Sequence, residues 1–87
     1  MIEIYNIYDH KREHPIFKMK SDVLELIDIE LRKEGLLIDF YGTSKVYSSH
    51  VHIILDALNV KGIKETEFCG FLIKCKNENV GFIIEGD

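Results

Sequence analysis

Two stripes of apolar side chains run along residues 45–59, and they constrain the fold more than any other feature of the sequence. The stripes, each at i, i+4, i+7 and i+11, are Tyr47, Val51, Ile54 and Leu58, with Leu55 beside them, and Val46, His50, Ile53 and Ala57. They cover about 200° of a helix, whereas about 100° is enough to dock one face. The pattern predicts a helix over residues 45–59 that is covered on two sides. Thr43 and Ser44 are its candidate N-caps, and Asn59 and Gly62 mark its predicted end.

The chain has 87 residues, which leaves room for a single domain over residues 1–87. Hydrophobic residues make up 46% of it, which excludes an intrinsically disordered protein. The apolar runs are shorter than the roughly 18 residues of a membrane-spanning helix, and the first residues lack the pattern of a signal peptide. Two cysteines do not make a disulfide framework. We therefore expect reduced thiols and a cytoplasmic or otherwise intracellular protein.

The N-terminal part alternates apolar and polar side chains in two short runs. Residues 2–8 and 16–20 predict two strands of a hairpin, separated by a polar segment that contains Pro15. A further strand is predicted at residues 36–41, where apolar residues follow Gly35.

Residues 22–34 fit two interpretations. Asp22 and Glu25 have the spacing of a capping box, and Gly35 lies where a helix would end. Against this, Ile29 falls on the polar side of a helical wheel, and the alternation around it is typical of a strand. We favour the helix and leave the strand open.

The C-terminal residues 66–85 predict a second hairpin, with a loop at residues 76–79. In that register the apolar cross-strand pairs are Cys75 with Val80, Ile73 with Phe82, and Phe71 with Ile84. The reverse face carries Phe68, Leu72 and Ile83, an apolar patch of the kind that marks contacts. The expected fold is therefore α+β, a mainly antiparallel sheet with one or two helices in the order ββαβαββ.

The predicted helix and C-terminal hairpin are each apolar on more than one side, which is more than so small a domain can cover. We therefore expect a protein partner, a homo-oligomer such as a homodimer, or both. The expected contact residues are Val46, His50, Ile53, Ala57, Phe68, Leu72 and Ile83. The net charge of −4 favours a basic partner over a nucleic acid. The sequence predicts a non-enzymatic interaction module, such as an inhibitor, adaptor or immunity-type protein.

Two other functions remain open. A small-ligand-binding protein or enzyme would hold an anion at Thr43, Ser44 and Lys45, at the predicted helix start, with His50 or His14 as proton carrier. A weak RNA-binding protein would use the basic residues of the 10–20 segment beside exposed tyrosines. Those residues are Lys11, Arg12, Lys18 and Lys20, with Tyr5 and Tyr8 as the stacking platform.

Histidine and cysteine spacings do not indicate a metal site. His10 and His14 fall in a segment with a proline, and His50 and His52 point to different sides of a helix. Cys69 and Cys75 are not a C-x-x-C pair, and we expect small buried side chains there. No catalytic residue, no metal and no cofactor is predicted.

Overall fold

The computed structural model describes residues 1–64 and 66–86. Its elements, in chain order, are β1 (Ile2–Asn6), β2 (Phe17–Met19), α1 (Asp22–Lys33), β3 (Thr43–Val46), a 3-10 turn (Ser48–His50), α2 (Val51–Val60), α3 (Thr66–Glu78) and β4 (Phe82–Glu85). The strands form one antiparallel sheet in the order β2-β1-β4-β3. The predicted α+β class is confirmed.

The hydrophobic core lies between one face of this sheet and the three helices. Alternate residues of the strands, such as Ile2, Ile4 and Ile84, join the buried faces of the helices in one apolar cluster. Helix α2 packs against both α1 and α3. The predicted two-sided covering of this helix is therefore present, and both covers belong to the same chain.

All three helices end in the same way. Gly35, Gly62 and Asn79 follow the three helices with φ angles of +82°, +67° and +57°. In each case the next residue donates its backbone N–H five residues back, from Leu36 to Leu31, from Ile63 to Leu58 and from Val80 to Cys75. This is the Schellman motif, in which an apolar contact accompanies the left-handed residue.

The N-terminal half matches the sequence predictions closely. Strands β1 and β2 form the predicted hairpin, with Ile2 opposite Met19 and Ile4 opposite Phe17. Residues 22–33 are helical, as favoured, with acidic residues in the first turn and basic residues in the last.

The predicted strand at residues 36–41 and the start of the predicted helix at residue 45 are wrong. Residues 36–41 form no strand, and the strand lies further along, at Thr43–Val46. There, Val46 is opposite Phe82 and Ser44 is opposite Ile84. The partner strand β4 decides the position, because pairing with β4 satisfies the backbone groups of β3 and places Val46 opposite the buried Phe82.

The predicted C-terminal hairpin is also wrong, because residues 66–78 form helix α3 and only β4 is a strand. Phe68, Leu72 and Cys75, at i, i+4 and i+7, are its buried stripe. Strand β4 pairs with β1 and β3 in the middle of the sheet. Its run of three buried residues suits that central place and does not need a hairpin partner.

Within the described residues, no helix is both long and apolar enough to cross a membrane.

Candidate functional site

A groove of about 220 Å³ separates the outer sides of α1 and α2. Its walls and floor are formed by Glu30, Lys33 and Glu34 from α1 and its end, and by His52, Ile53, Asp56, Ala57 and Val60 from α2. The half-buried Ile53 and the buried Ala57 form the floor, and Val60 and the ionisable side chains of both helices form the walls and rim. We call this site the acidic groove.

The spacing of buried residues in the two helices explains why the groove is there. Leu24, Ile27 and Leu31 turn one stripe of α1 toward the core. Glu30 and Lys33 then lie at the edge of that helix, facing α2. In α2, the buried stripe leaves Ile53 and Val60 at the corresponding edge.

The charges of the acidic groove are only partly balanced. Glu30 Oε1 lies 3.3 Å from Lys61 Nζ. The pKa of Glu30 is lowered mainly by a hydrogen bond from its own backbone N–H, and the interaction with Lys61 lowers it further. Its Oε2 is buried and accepts no hydrogen bond from the described residues.

Glu34 and Asp56 form no ion pair with any residue whose position the structure describes. Three carboxylates and one lysine line the acidic groove, so its lining carries a formal charge of −2. The groove therefore combines an aliphatic floor with a negative potential at its rim.

Three large aliphatic side chains are exposed at or beside the groove. Val60, at its rim, is 75% exposed, and Leu26 and Ile29 on α1 are 61% and 66% exposed. Leu26 and Ile29 lie four residues before Glu30 and Lys33 respectively, one helical turn from the groove wall. Scattered exposed aliphatics are ordinary, but a group beside a groove is typical of a contact surface.

Most of the contact surface predicted from the sequence is not exposed to solvent. Five of its seven residues are buried inside the molecule, namely Val46, Ala57, Phe68, Leu72 and Ile83. The prediction for Phe68, Leu72 and Ile83 depended on the hairpin expected where α3 lies, and that for Val46 and Ala57 depended on the helix expected over residues 45–59. Ile53 is half-buried and lines the acidic groove. His50 is half-buried, with its ring 6.3 Å from that of Tyr47.

The predicted anion site also loses its basis. Thr43, Ser44 and Lys45 lie in strand β3 and not at a helix N-terminus. Thr43 Oγ1 donates a hydrogen bond of 2.9 Å to the carboxylate of Glu85, and the buried Ser44 Oγ accepts one of 2.7 Å from the N–H of Asp39. Both hydroxyls are thus used within the fold, and a carboxylate occupies the place beside Thr43.

Two of the four basic side chains in the 10–20 segment pair with carboxylates on the other face of the sheet. Arg12 Nε donates to Glu85 at 3.0 Å, and Lys18 Nζ lies 3.8 Å from Glu3. Tyr5 is buried, so it cannot stack on a base, and burial together with Glu3 raises the pKa of its hydroxyl. Tyr8 is exposed, but a single ring does not make the predicted platform.

Histidines and cysteines do not form a site in the part of the chain that is described. Over residues 1–64 and 66–86, no group of three or more His, Cys, Asp or Glu side chains is arranged to hold a metal ion. Cys75 is buried, as predicted, whereas Cys69 is only half-buried. Burial raises the pKa of the Cys75 thiol, which keeps it protonated and unreactive.

No protein-family model, curated protein or solved structure matches this chain.

The sequence contains a signal for the surface beside the acidic groove. Ile29 falls on the polar side of the helical wheel, which by itself favours a strand. In the helix that forms, the same residue is an exposed aliphatic beside charged neighbours. An apolar residue that disagrees with the helical pattern is one way to find a contact surface.

Proposed function

We propose that this protein is a non-enzymatic interaction module that binds a partner protein through the outer face of α1 and α2. We call this the α1–α2 face, defined by the acidic groove together with Leu26 and Ile29. The observation that carries the proposal is the exposure of Leu26, Ile29 and Val60 around one groove. Burying these three side chains against a partner would remove each of them from water, at a gain of roughly 1 to 2 kcal/mol apiece.

The partner that we propose is a different protein and not a second copy of this chain. A two-fold contact through the α1–α2 face would bring two negatively charged grooves together, since each lining carries a formal charge of −2. Like charges facing each other across an interface are unfavourable.

An enzymatic or small-ligand function has less support. The grooves between α1 and α2, beside Cys75 and beside Met19 measure about 220, 260 and 250 Å³. Pockets for small molecules usually measure roughly 300 to 1,000 Å³. The residues of the predicted anion site are engaged within the fold.

The test is a photo-crosslinking experiment in cells of the source organism. A photoreactive phenylalanine analogue replaces Leu26, and the crosslinked chain is identified by mass spectrometry. We expect one partner protein, whose crosslinking is lost when Ile29→Gln and Val60→Gln are added. The matched control is Ile73→Gln, because Ile73 is a half-exposed isoleucine on α3, away from this face.

Two results would overturn the proposal. One is equal crosslinking in the double variant and in the Ile73→Gln control, which would mean that the α1–α2 face is not needed. The other is a crosslinked product made of two copies of this chain, which would replace the partner protein with self-association.

A further inference from the structure

The acidic groove has a shape and charge that select one kind of partner. We propose that it receives a basic amphipathic helix, with apolar side chains on the floor and Lys or Arg side chains against Glu34 and Asp56. This inference rests on the proposed function, because it names the partner segment that the α1–α2 face would bind.

The size of the groove sets the first limit on its occupant. A volume of about 220 Å³ is too small for a typical metabolite, but it accepts one or two side chains that project from a partner. Its floor, formed by Ile53 and Ala57, is aliphatic, and Val60 adds an exposed aliphatic side chain at the rim. The side chains that enter should therefore be apolar.

The walls set the second limit. Glu34 and Asp56 stand on opposite walls, one at the end of α1 and one on α2. Neither is paired within the described part of the chain, so each can accept a cation without first breaking an ion pair. A segment that carries apolar residues between Lys or Arg residues matches this order of acid, aliphatic floor and acid.

The neighbouring aliphatics set the third limit. Leu26 and Ile29 extend the apolar area by one helical turn along α1. An amphipathic helix presents apolar anchors at i, i+3, i+4 and i+7, and it commonly binds in a groove of this kind between helices. A single extended residue would fill the groove but leave Leu26 and Ile29 uncovered.

The experiment uses three fluorescein-labelled peptides and the intact protein. The first is an amphipathic peptide with leucines at i, i+3, i+4 and i+7 and lysines at the remaining positions. The second carries glutamate in place of lysine. The third has the composition of the first, in an order without helical periodicity. Binding is measured by fluorescence anisotropy, and its place by the NMR amide shifts of the protein.

We expect only the first peptide to bind, with the largest amide shifts at Glu34, Ile53, Asp56 and Val60. The variant Glu34→Gln/Asp56→Asn should weaken binding about tenfold, because it removes two charge contacts at the rim. The matched control Glu25→Gln/Glu78→Gln changes the net charge equally, at exposed carboxylates outside the groove. It should leave the affinity within about twofold.

Failure of the inference and failure of the proposed function are distinguishable. Equal binding of the first and third peptides, equal losses in the two double variants, or no binding at all would overturn the basic helix. If the crosslinking from position 26 still depends on Ile29 and Val60, the interaction module stands with a partner of another chemistry. If that crosslinking also fails, both proposals fall.

Discussion

Asn79 is a residue whose backbone decides the end of a whole helix. It has a φ of +57°, in the left-handed region, at the position that Gly35 and Gly62 occupy after α1 and α2. Asparagine tolerates this region better than other residues with a Cβ, although less well than glycine. The short turn after α3 therefore depends on the identity of this side chain.

We expect Asn79→Ala to lower the free energy of unfolding by about 1 kcal/mol, because alanine is strained in the left-handed region. The measurement is chemical denaturation followed by circular dichroism. The matched control is Asn77→Ala, the same substitution within α3, where alanine is a better helix former than asparagine. An equal loss in both variants would contradict the left-handed turn at residue 79.

Arg12 also has a positive φ, of +56°, and its side chain shows what holds it there. The guanidinium donates to Glu85 and to the backbone carbonyls of Asp9 and His10. Glu85 in turn accepts from Thr43. This arginine thereby connects the segment after β1 to β4. Its positive charge, which belongs to the predicted RNA-binding surface, pairs with a carboxylate within the fold.

At the scale of elements, α3 is where sequence and structure differ most. The residues Phe71, Ile73 and Cys75 alternate as in a strand, and Phe68, Leu72 and Cys75 repeat as in a helix. Alternation suggested the hairpin. Cys75, Asn79 and Val80 have the same spacing as the residues that end α1 and α2. This spacing is the signal in the sequence that indicates a helix end at residue 79.

Leu72 and Ile73 separate the two arrangements in a direct experiment. In α3, Leu72 is fully buried and Ile73 is half-exposed, whereas the predicted hairpin places Ile73 on its core face. Leu72→Ala should lower the free energy of unfolding by about 2 to 5 kcal/mol, and Ile73→Ala by less than about 1 kcal/mol.

Urea denaturation of the two variants beside the unsubstituted chain makes this comparison. A larger loss for Ile73→Ala than for Leu72→Ala would contradict α3 and restore the hairpin. Two small losses would mean that neither side chain packs in a core.

For the whole molecule, the important question is how its apolar surface is covered. The sequence predicts a partner because the helix expected at residues 45–59 has more apolar area than one neighbour could cover. In the structure, α1 and α3 cover α2 from its two sides. Val46 and Ile83 are buried within strands of the sheet. The remaining exposed aliphatics around the acidic groove are a smaller surface in a different place.

This arrangement predicts a monomer in solution. Sedimentation equilibrium should give a mass near 10.1 kDa that does not change with protein concentration. The reason is that five of the seven residues first expected to form a contact are buried, and a two-fold contact through the proposed α1–α2 face would bring like charges together. A mass that rises toward twice this value as concentration increases would contradict the prediction.

Local patterns in the sequence were sufficient for the α+β class, the β1–β2 hairpin, α1 and the glycine ends of two helices. Each of these depends on neighbours within a few residues, through capping, alternation or a left-handed turn. The site was less accessible from the sequence, since only Ile53 and Ala57 of the predicted contact residues line the acidic groove. Ile29 is recognisable in the sequence as an exception to a helical pattern, but the pattern does not show that this side chain lies exposed beside the groove.

Tertiary structure alone decided what became of β3, α3 and β4. Val46 fits a helical stripe as well as a strand, and the choice depends on Phe82, which lies 36 residues further along the chain. Helix α3 forms where alternation suggested strands, because its buried stripe covers α2. Amino-acid order therefore determined the turns and caps, whereas the pairing of distant segments determined which apolar residues are core and which remain to bind a partner.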